Sequence, residues 1–533
     1  MKYSCIELND LPDEILLIIF KKLDNLEVLY SFQGVNERLN KIIHDPIFTC
    51  RLSFLKWSFN KCINKFSSAL ILNKFCSQTL PKINTKIKWL DLESESMKNI
   101  LDAVDYPNLY ALGLYNIEEE TAESLFTDER LISSIFKNQI TKLIISIDPN
   151  KKKLYTMKNI CIYIFTIFIN LTHLIFNDAS YENNARLLFD IPSSSFSSSS
   201  LLVLNIKVQT FAMCLYLLDG RFDQLQTLYI ELANIFPPSE EIKNQRKIPN
   251  LKCFVLSCIM RTPYYDQLIL PLIYRMSNLE ELSLDLTISV EETFIDGHNL
   301  TKNILNHMLQ LKQFTFNISS WMFINNEMNL PSKESIQQTF NDFQYTKVIS
   351  YVDFFLRSYK DGLCHICSYP SLIRRYEYVT NNFPGGLYRY VRIVSLFDEY
   401  PFEHEFFIQI AKSFPVMEKL TINNRYAQNQ KESYKLMNDK SNLSIAKYNY
   451  LIELQIDRAH DDYIEEFLCS TKTYFQNNIL LDVHYEPLLR ATNCFTRDDT
   501  RINCTKVNEL SLFGQVEYSK CCKDYFPFAT IID

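Results

Sequence analysis

The sequence predicts an α/β chain in which a small all-α head precedes a long array of parallel strands and helices. Three observations predict it. An apolar-x-x-apolar-x-apolar spacing recurs thirteen times between Ile87 and Leu512. The intervals between copies carry helix-length segments, among them Glu118–Phe136 and Pro263–Met276. In the first fifty residues Ile15, Leu16, Ile19, Phe20 and Leu23 recur as one broad face of a helix.

Within the head, Asp10 is a candidate N-cap, Pro12 suits a first helical turn, and Asp13-Glu14 put negative charge at the positive end of the helix. Asp24-Asn25 break and recap the chain before a second helix with Leu26, Val28, Leu29 and Phe32. A third runs from Asn36 through Leu39 and Ile42-Ile43 and ends at Asp45-Pro46. The order Leu11-Pro12-Asp13-Glu14-Ile15, Ile19-Phe20, Leu23-Asp24, Leu26, Leu29 and Val35-Asn36 resembles an F-box. Asn25 stands where that family often has proline, and Leu39 where it usually has tryptophan. The resemblance implies docking onto a Skp-family adaptor and, through it, a cullin, with Leu11, Pro12, Ile15, Ile19 and Leu29 as the adaptor-binding residues. Size argues the same way: a module this short buries too little apolar surface to stand alone.

We assign residues 1–50 to the head, 51–84 to a helical connector, and 85–533 to the array. Triplets begin at Ile87, Leu109, Ile140, Leu171, Leu201, Leu225, Leu251, Leu279, Leu311, Val391, Met417, Leu451 and Val507, with a degenerate copy at Asn478. A shared lead-in strengthens them: Tyr106-Pro-Asn108, Phe222-Asp-Gln224, Ile248-Pro-Asn250 and Met276-Ser-Asn278. The period resembles that of leucine-rich repeats, roughly 20–29 residues, which implies a solenoid with parallel strands on the concave face and helices on the convex one. No such repeat buries its own apolar face, so stability comes from stacking. Residues 319–387 break the period. There Val348–Phe355 and Leu363–Tyr369 flank Tyr359-Lys360-Asp361-Gly362, the pattern of a β-hairpin.

Strand alternation sends the second and third apolar residues of each triplet inward and their neighbours outward. The outward set includes Trp89, Asp91, Glu93, Tyr115, Tyr229, Glu281, Asp285, Phe397, Glu453 and Asp457. Acidic residues interleaved with aromatics suit protein recognition. We expect Trp89, Tyr115, Tyr229, Glu281, Asp285, Phe397, Glu453 and Asp457 to bind a protein substrate, the acids favouring a Lys/Arg-rich segment.

Composition narrows the classes. At 533 residues with 47% hydrophobic and 22% charged residues the chain is globular. A net charge of −7 attracts neither nucleic acid nor anionic membrane. Met1–Asp10 has no signal-peptide pattern, and the apolar run Ile160–Ile169 is too short to span a bilayer. Fifteen cysteines then read as reduced thiols, and the setting as cytoplasmic or nuclear. Cys364-His365-Ile366-Cys367 lacks the second ligand pair of a structural zinc site, and His404 lacks the second histidine of an H-E-x-x-H helix. We expect no metal, cofactor or active site. The head and array together suggest the substrate-recognition adaptor of a cullin–RING ubiquitin ligase. The alternative is a repeat scaffold or inhibitor outside any ligase, its F-box-like head only capping the solenoid.

Overall fold

The computed structural model describes residues 8–55, 57–58, 61–62, 69–117, 138–147, 160–178, 196–238, 247–325, 330–341, 343, 346–357, 360–429, 444–514 and 520–532. The chain is a mixed α/β protein with a short helical segment at its N-terminus and a large sheet-rich body. It forms two compact units. The first holds Met1–Met260, Tyr264–Leu282 and Met308–Leu311; the second holds Arg261–Pro263, Ser283–His307 and Lys312–Asp533.

The first unit begins with four helices, α1 (Asp13–Phe20), α2 (Asn25–Phe32), α3 (Glu37–Ile43) and α4 (Pro46–Thr49). Local chemistry sets their starts. The Asp24 carboxylate accepts from the Leu26 N–H at 2.9 Å while Glu27 reaches back to the Asp24 N–H at 3.3 Å, a capping box. The Asn36 side chain accepts from the Leu39 N–H at 2.7 Å, and Asp45 caps α4 with Pro46 in its first turn. Asp10 is not the cap expected of it. It closes a 3-10 turn, Leu8–Asp10, and Pro12, extended at ψ 153°, holds the N-cap position of α1. Leu16, Phe20, Leu26, Val28, Leu29, Leu39, Ile43 and Phe48 form the module's interior, with Phe20 stacked on Phe32 at 4.4 Å.

The stretch from residue 51, expected to be helical, opens as a strand. β1 (Arg51–Phe54) alternates Leu52 and Phe54 inward and lies parallel to β4 (Trp89–Glu93), pairing Leu52 with Leu90 and Phe54 with Leu92. A short ribbon, β2 (Trp57–Ser58) with β3 (Lys61–Cys62), and the helices Ala69–Gln78 and Leu80–Ile83 come only afterwards. Two bonds fasten the head here: Asn25 Nδ2 donates to the Arg51 carbonyl at 3.0 Å and Lys86 Nζ to the His44 carbonyl at 2.9 Å.

The sheet continues in chain order through β5 (Ala111–Ile117), β6 (Lys142–Ile147), β7 (His173–Asp178), β8 (Val203–Val208), β9 (Thr227–Leu232) and β10 (Cys253–Thr262), all parallel. Each triplet's first apolar residue lies two before its strand. The second forms an unbroken interior ladder, Leu90–Leu112–Leu143–Leu174–Leu204–Leu228–Phe254, every rung essentially inaccessible. Burying such a side chain contributes roughly 1.5–3 kcal/mol, so register is held wherever the ladder runs. Outside the sheet the turns are stapled too. In five triplets the preceding amide side chain donates to a carbonyl of the turn before it: Asn108 to Thr85 at 2.6 Å, Gln139 to Tyr106 at 2.7 Å, Asn170 to Asn138 at 2.9 Å, Asn250 to Asp223 at 2.7 Å and Asn278 to Pro249 at 2.9 Å. These satisfy turn carbonyls that no ladder reaches. Glu118–Phe136, expected to be helical, lies outside the described residues. Pro263–Met276 contains a π-helical turn, Tyr265–Ile269, running into the helix Leu270–Tyr274.

β11 (Glu281–Val290), which enters the second unit at Ser283, and β12 (Gln313–Phe323), β13 (Lys347–Phe355) and β14 (Asp361–Tyr369) are ordered β11-β12-β14-β13, with β14 antiparallel to both neighbours. Asp361 and Gly362, read as turn residues, belong to β14; a Cβ on Gly362 would lie 2.9 Å from the Phe294 ring, which explains glycine there. A second sheet is wholly parallel: β15 (Arg375–Val379), β16 (Ile393–Phe397), β17 (Lys419–Asn423), β19 (Glu453–Ile456), β21 (Ile479–His484), β22 (Val507–Phe513) and β23 (Thr530–Ile532). Its interior ladder is Tyr376–Val394–Leu420–Leu454–Leu481–Leu510–Ile531. β18 (Ala446–Tyr448) and β20 (Thr473–Phe475) form a separate parallel pair. Among the described residues no sheet closes into a barrel, and no helix is long and apolar enough to cross a membrane.

Candidate protein-binding surfaces

Helix α1 is apolar on two sides. Leu16 and Phe20 point into the module, whereas Ile15, Ile18 and Ile19 are 41%, 56% and 38% exposed, and Leu23 beyond the helix is comparably open. Positions 15, 18 and 19 share one face by helical spacing. A helix burying one apolar stripe and displaying another has a surface for a partner. Arg38 fixes the approach to it: its Nε donates to Asp13 Oδ1 at 2.7 Å and its Nη2 to the Leu11 carbonyl at 2.5 Å, tying α1 to α3.

Of the residues assigned to adaptor contact, Pro12, Ile15 and Ile19 are exposed and Leu11 is half-buried. Leu29 is a correction. It is wholly inside the head, where α2 packs among the other helices and β1, and offers no surface. Ile18 was missed, although its spacing of three from Ile15 signalled the second stripe. Leu23 counted toward the motif but not toward contact.

The outward face of the sheets differs from its reading by alternation. Trp89 has Arg51 over its ring at 4.2 Å and Lys142 at 4.6 Å, and its indole N–H donates to Asp91 Oδ1 at 2.8 Å. Asp91 also accepts from Arg51 Nε and Nη2 at 3.1 and 2.9 Å and is 1% exposed. Tyr115 joins through a hydrogen bond to the same carboxylate; burial first, then the Asp91 charge, push its phenol up to about 12. A Cβ on Gly113 would stand 2.3 Å from Asp91 Oδ1, so only glycine leaves the carboxylate room. Glu93 is buried as well, accepting from Asn116 Nδ2 at 3.3 Å. Trp89, Asp91 and Tyr115 thus bind one another and Glu93 is held by Asn116: they lie on the outward side of the strands, but their neighbours cover them.

Tyr229 and Glu281 remain exposed and flank the half-buried Cys253, whose thiol burial and the Glu281 charge push up to about 11. In the second unit Asp285 accepts from Asn317 Nδ2 at 2.8 Å, and Glu453 pairs with Lys419 Nζ at 2.6 Å. Phe397 packs on Phe355 at 5.0 Å and Trp321 at 6.2 Å, at the margin of the core. Asp457 keeps an open carboxylate near Arg458 and His484.

Cys364, His365 and Cys367 lie inside the second unit. His365 is stacked between Tyr351 at 4.9 Å and Tyr376 at 4.8 Å, with Nδ1 on Ser319 Oγ at 2.9 Å; burial holds it down to about 3, hence neutral. Burial likewise pushes Cys364 up and Cys367 up to about 12, so both stay thiols. Among the described residues no three His, Cys, Asp or Glu side chains are grouped to hold a metal.

An F-box domain model matches residues 8–51, the span from the 3-10 turn to the first residue of β1. No curated protein matches the chain.

Proposed function

We propose that this F-box-bearing chain is a substrate receptor of a Skp–cullin–F-box ubiquitin ligase. F-box domains bind Skp-type adaptors in such complexes, and their proteins are typically adaptors rather than enzymes. The observation that carries the reading is the exposed stripe Ile15, Ile18, Ile19 and Leu23 on that domain. On this reading the stripe docks on the adaptor, with Leu11 and Pro12 at its edge, and the cullin is reached through it. The parallel strands act as a leucine-rich-repeat solenoid that holds a protein substrate, with Tyr229, Glu281 and Asp457 the most accessible of its proposed contacts. Cytoplasm and nucleus are the compartments where such a ligase works.

The mechanism is proximity: a substrate held on the array presents its lysines at high effective concentration to a conjugating enzyme on the cullin arm. Direct bonding of the head to β1 supports it, because a head fused to the sheet transmits position. The test is co-purification of a Skp-family adaptor and a cullin with the full chain. Ile15→Asp with Ile19→Asp, both on the surface, should abolish capture without changing thermal stability. Undiminished capture by that folded double variant would refute the docking role.

A further inference from the structure

His404 opens the helix His404–Ser413 and is 1% exposed. Both its ring nitrogens face oxygens. Nδ1 is 2.5 Å from Glu466 Oε1, and Nε2 is 2.9 Å from the Ser444 carbonyl oxygen. Glu466 is itself ionised by its surroundings: Oε2 accepts from Lys472 Nζ at 3.0 Å and from Gln428 Nε2 at 3.3 Å. A neutral imidazole has one N–H and would set its other nitrogen's lone pair against an oxygen lone pair; only the imidazolium donates to both.

Other elements packed there bring further charged or titratable groups. The helix Asp461–Leu468 contributes Glu466 and Asp462, the latter accepting from the Gln428 N–H at 3.0 Å. The turn before β20 brings Lys472, and β18 brings Tyr448, whose hydroxyl donates to the Phe407 carbonyl. Glu403, beside His404, accepts from the Asn429 N–H at 2.8 Å, and Glu405 follows on the same helix. Burial opposes a charge on His404, but the Glu466 hydrogen bond and charge, with the Ser444 carbonyl, outweigh it and raise the imidazole above its ordinary value; Lys472 works the other way. Glu466, despite burial, is held low by His404 and Lys472.

We propose that His404 is a proton-operated latch of the second unit. As an imidazolium it ties the helix His404–Ser413 both to Glu466 of the helix Asp461–Leu468 and to the Ser444 carbonyl; on losing its proton it keeps its one N–H on the Glu466 carboxylate and releases Ser444. The folded-state affinity for the proton exceeds the unfolded one, so the stabilisation is full below the ordinary histidine value of about 6.5 and is lost as pH rises through the folded value. Glu466 sets the acid limit: its contribution, present above the ordinary carboxylate range, is lost as pH falls through its lowered value. The latch is closed between the two.

The test uses the full chain with ¹³C-labelled histidine Cε1, the His404 signal being the one that His404→Gln removes. Its titration midpoint should lie above the ordinary histidine value and should fall in Glu466→Gln. Hydrogen exchange of 444–448, corrected for intrinsic rate, should be at least about tenfold faster at about pH 9 than at about pH 6.5 in the wild type. In His404→Gln it should be fast at both. A midpoint at or below the ordinary value, or equal wild-type protection at both pH values, would overturn the latch. If His404→Gln does not fold, an unchanged midpoint in Glu466→Gln overturns it equally.

Discussion

Asp91→Asn is the most informative perturbation of the first unit. The Asp91 carboxylate takes hydrogen bonds from Arg51, Trp89 and Tyr115 at a position 1% exposed. Asparagine keeps the volume but removes the charge, and its N–H₂ cannot accept from the guanidinium and indole N–H groups, which only donate. Losing charge-assisted hydrogen bonds costs roughly 1.5–3 kcal/mol each. The Arg51 side chain is 54% exposed and returns to water, which reduces its share. Together the loss is about 2–3 kcal/mol, and the first unit's midpoint should fall by roughly 4–12 °C. Urea and thermal unfolding followed by tryptophan fluorescence measure it, and a double-mutant cycle with Arg51→Met isolates the pair. A loss below about 0.5 kcal/mol with no coupling to Arg51 would refute the account of Trp89 and Tyr115 as covered residues.

Four further outcomes are expected. Leu29→Ala should destabilise the head by about 2–5 kcal/mol, measured by chemical denaturation, whereas Ile18→Asp should leave stability unchanged and abolish adaptor capture. Gly113→Ala, whose Cβ would meet Asp91 and Tyr115, should cost about 1–3 kcal/mol in the same assay. Asn278→Ala removes one turn staple and should cost about 0.5–1.5 kcal/mol; exchange protection of Pro249–Lys252 should fall with it. Burial pushes Asp353 up to about 6, with Asp398 adding repulsion, so this acid binds its proton more tightly folded than unfolded. Its contribution is full below the ordinary carboxylate value and fades as pH rises through about 6, a difference of about 3 kcal/mol at 1.36 kcal/mol per pH unit. Denaturation of Asp353→Asn between about pH 4 and about pH 7.5 should lack that part of the slope.

The strands were legible because burial writes a two-residue alternation into sequence, and every triplet from Ile87 to Val507 coincides with a strand. The degenerate copy at Asn478 does as well, since β21 needs only Leu481 and Val483 inward. β1 was illegible: Arg51–Phe54 offers two apolar residues and no turn signal. That omission spread, because Arg51 is the residue that covers Trp89 and seals Asp91. Alternation gives the direction of a side chain; accessibility depends on what the adjacent strand brings. Leu29 fails for a related reason. The motif preserves it, but a short helix packed on several sides buries Leu26, Val28 and Leu29 alike, and spacing cannot tell a motif position inside from one outside. The latch at His404 joins residues 404, 444 and 466, far apart in the chain, and no local pattern announces it.

Because β1 pairs with β4, the strand that follows the head is the terminal rung of the sheet. Cutting both away beyond Phe54 would bare the hydrogen-bonding edge of Trp89–Glu93 and take Arg51 from over Trp89. An open edge beside an uncovered aromatic invites chains to pair with one another. A headless array would therefore bind promiscuously and aggregate, and its failure to deliver a substrate would say nothing about the adaptor. Surface point changes on α1 separate those outcomes; deletions confound them.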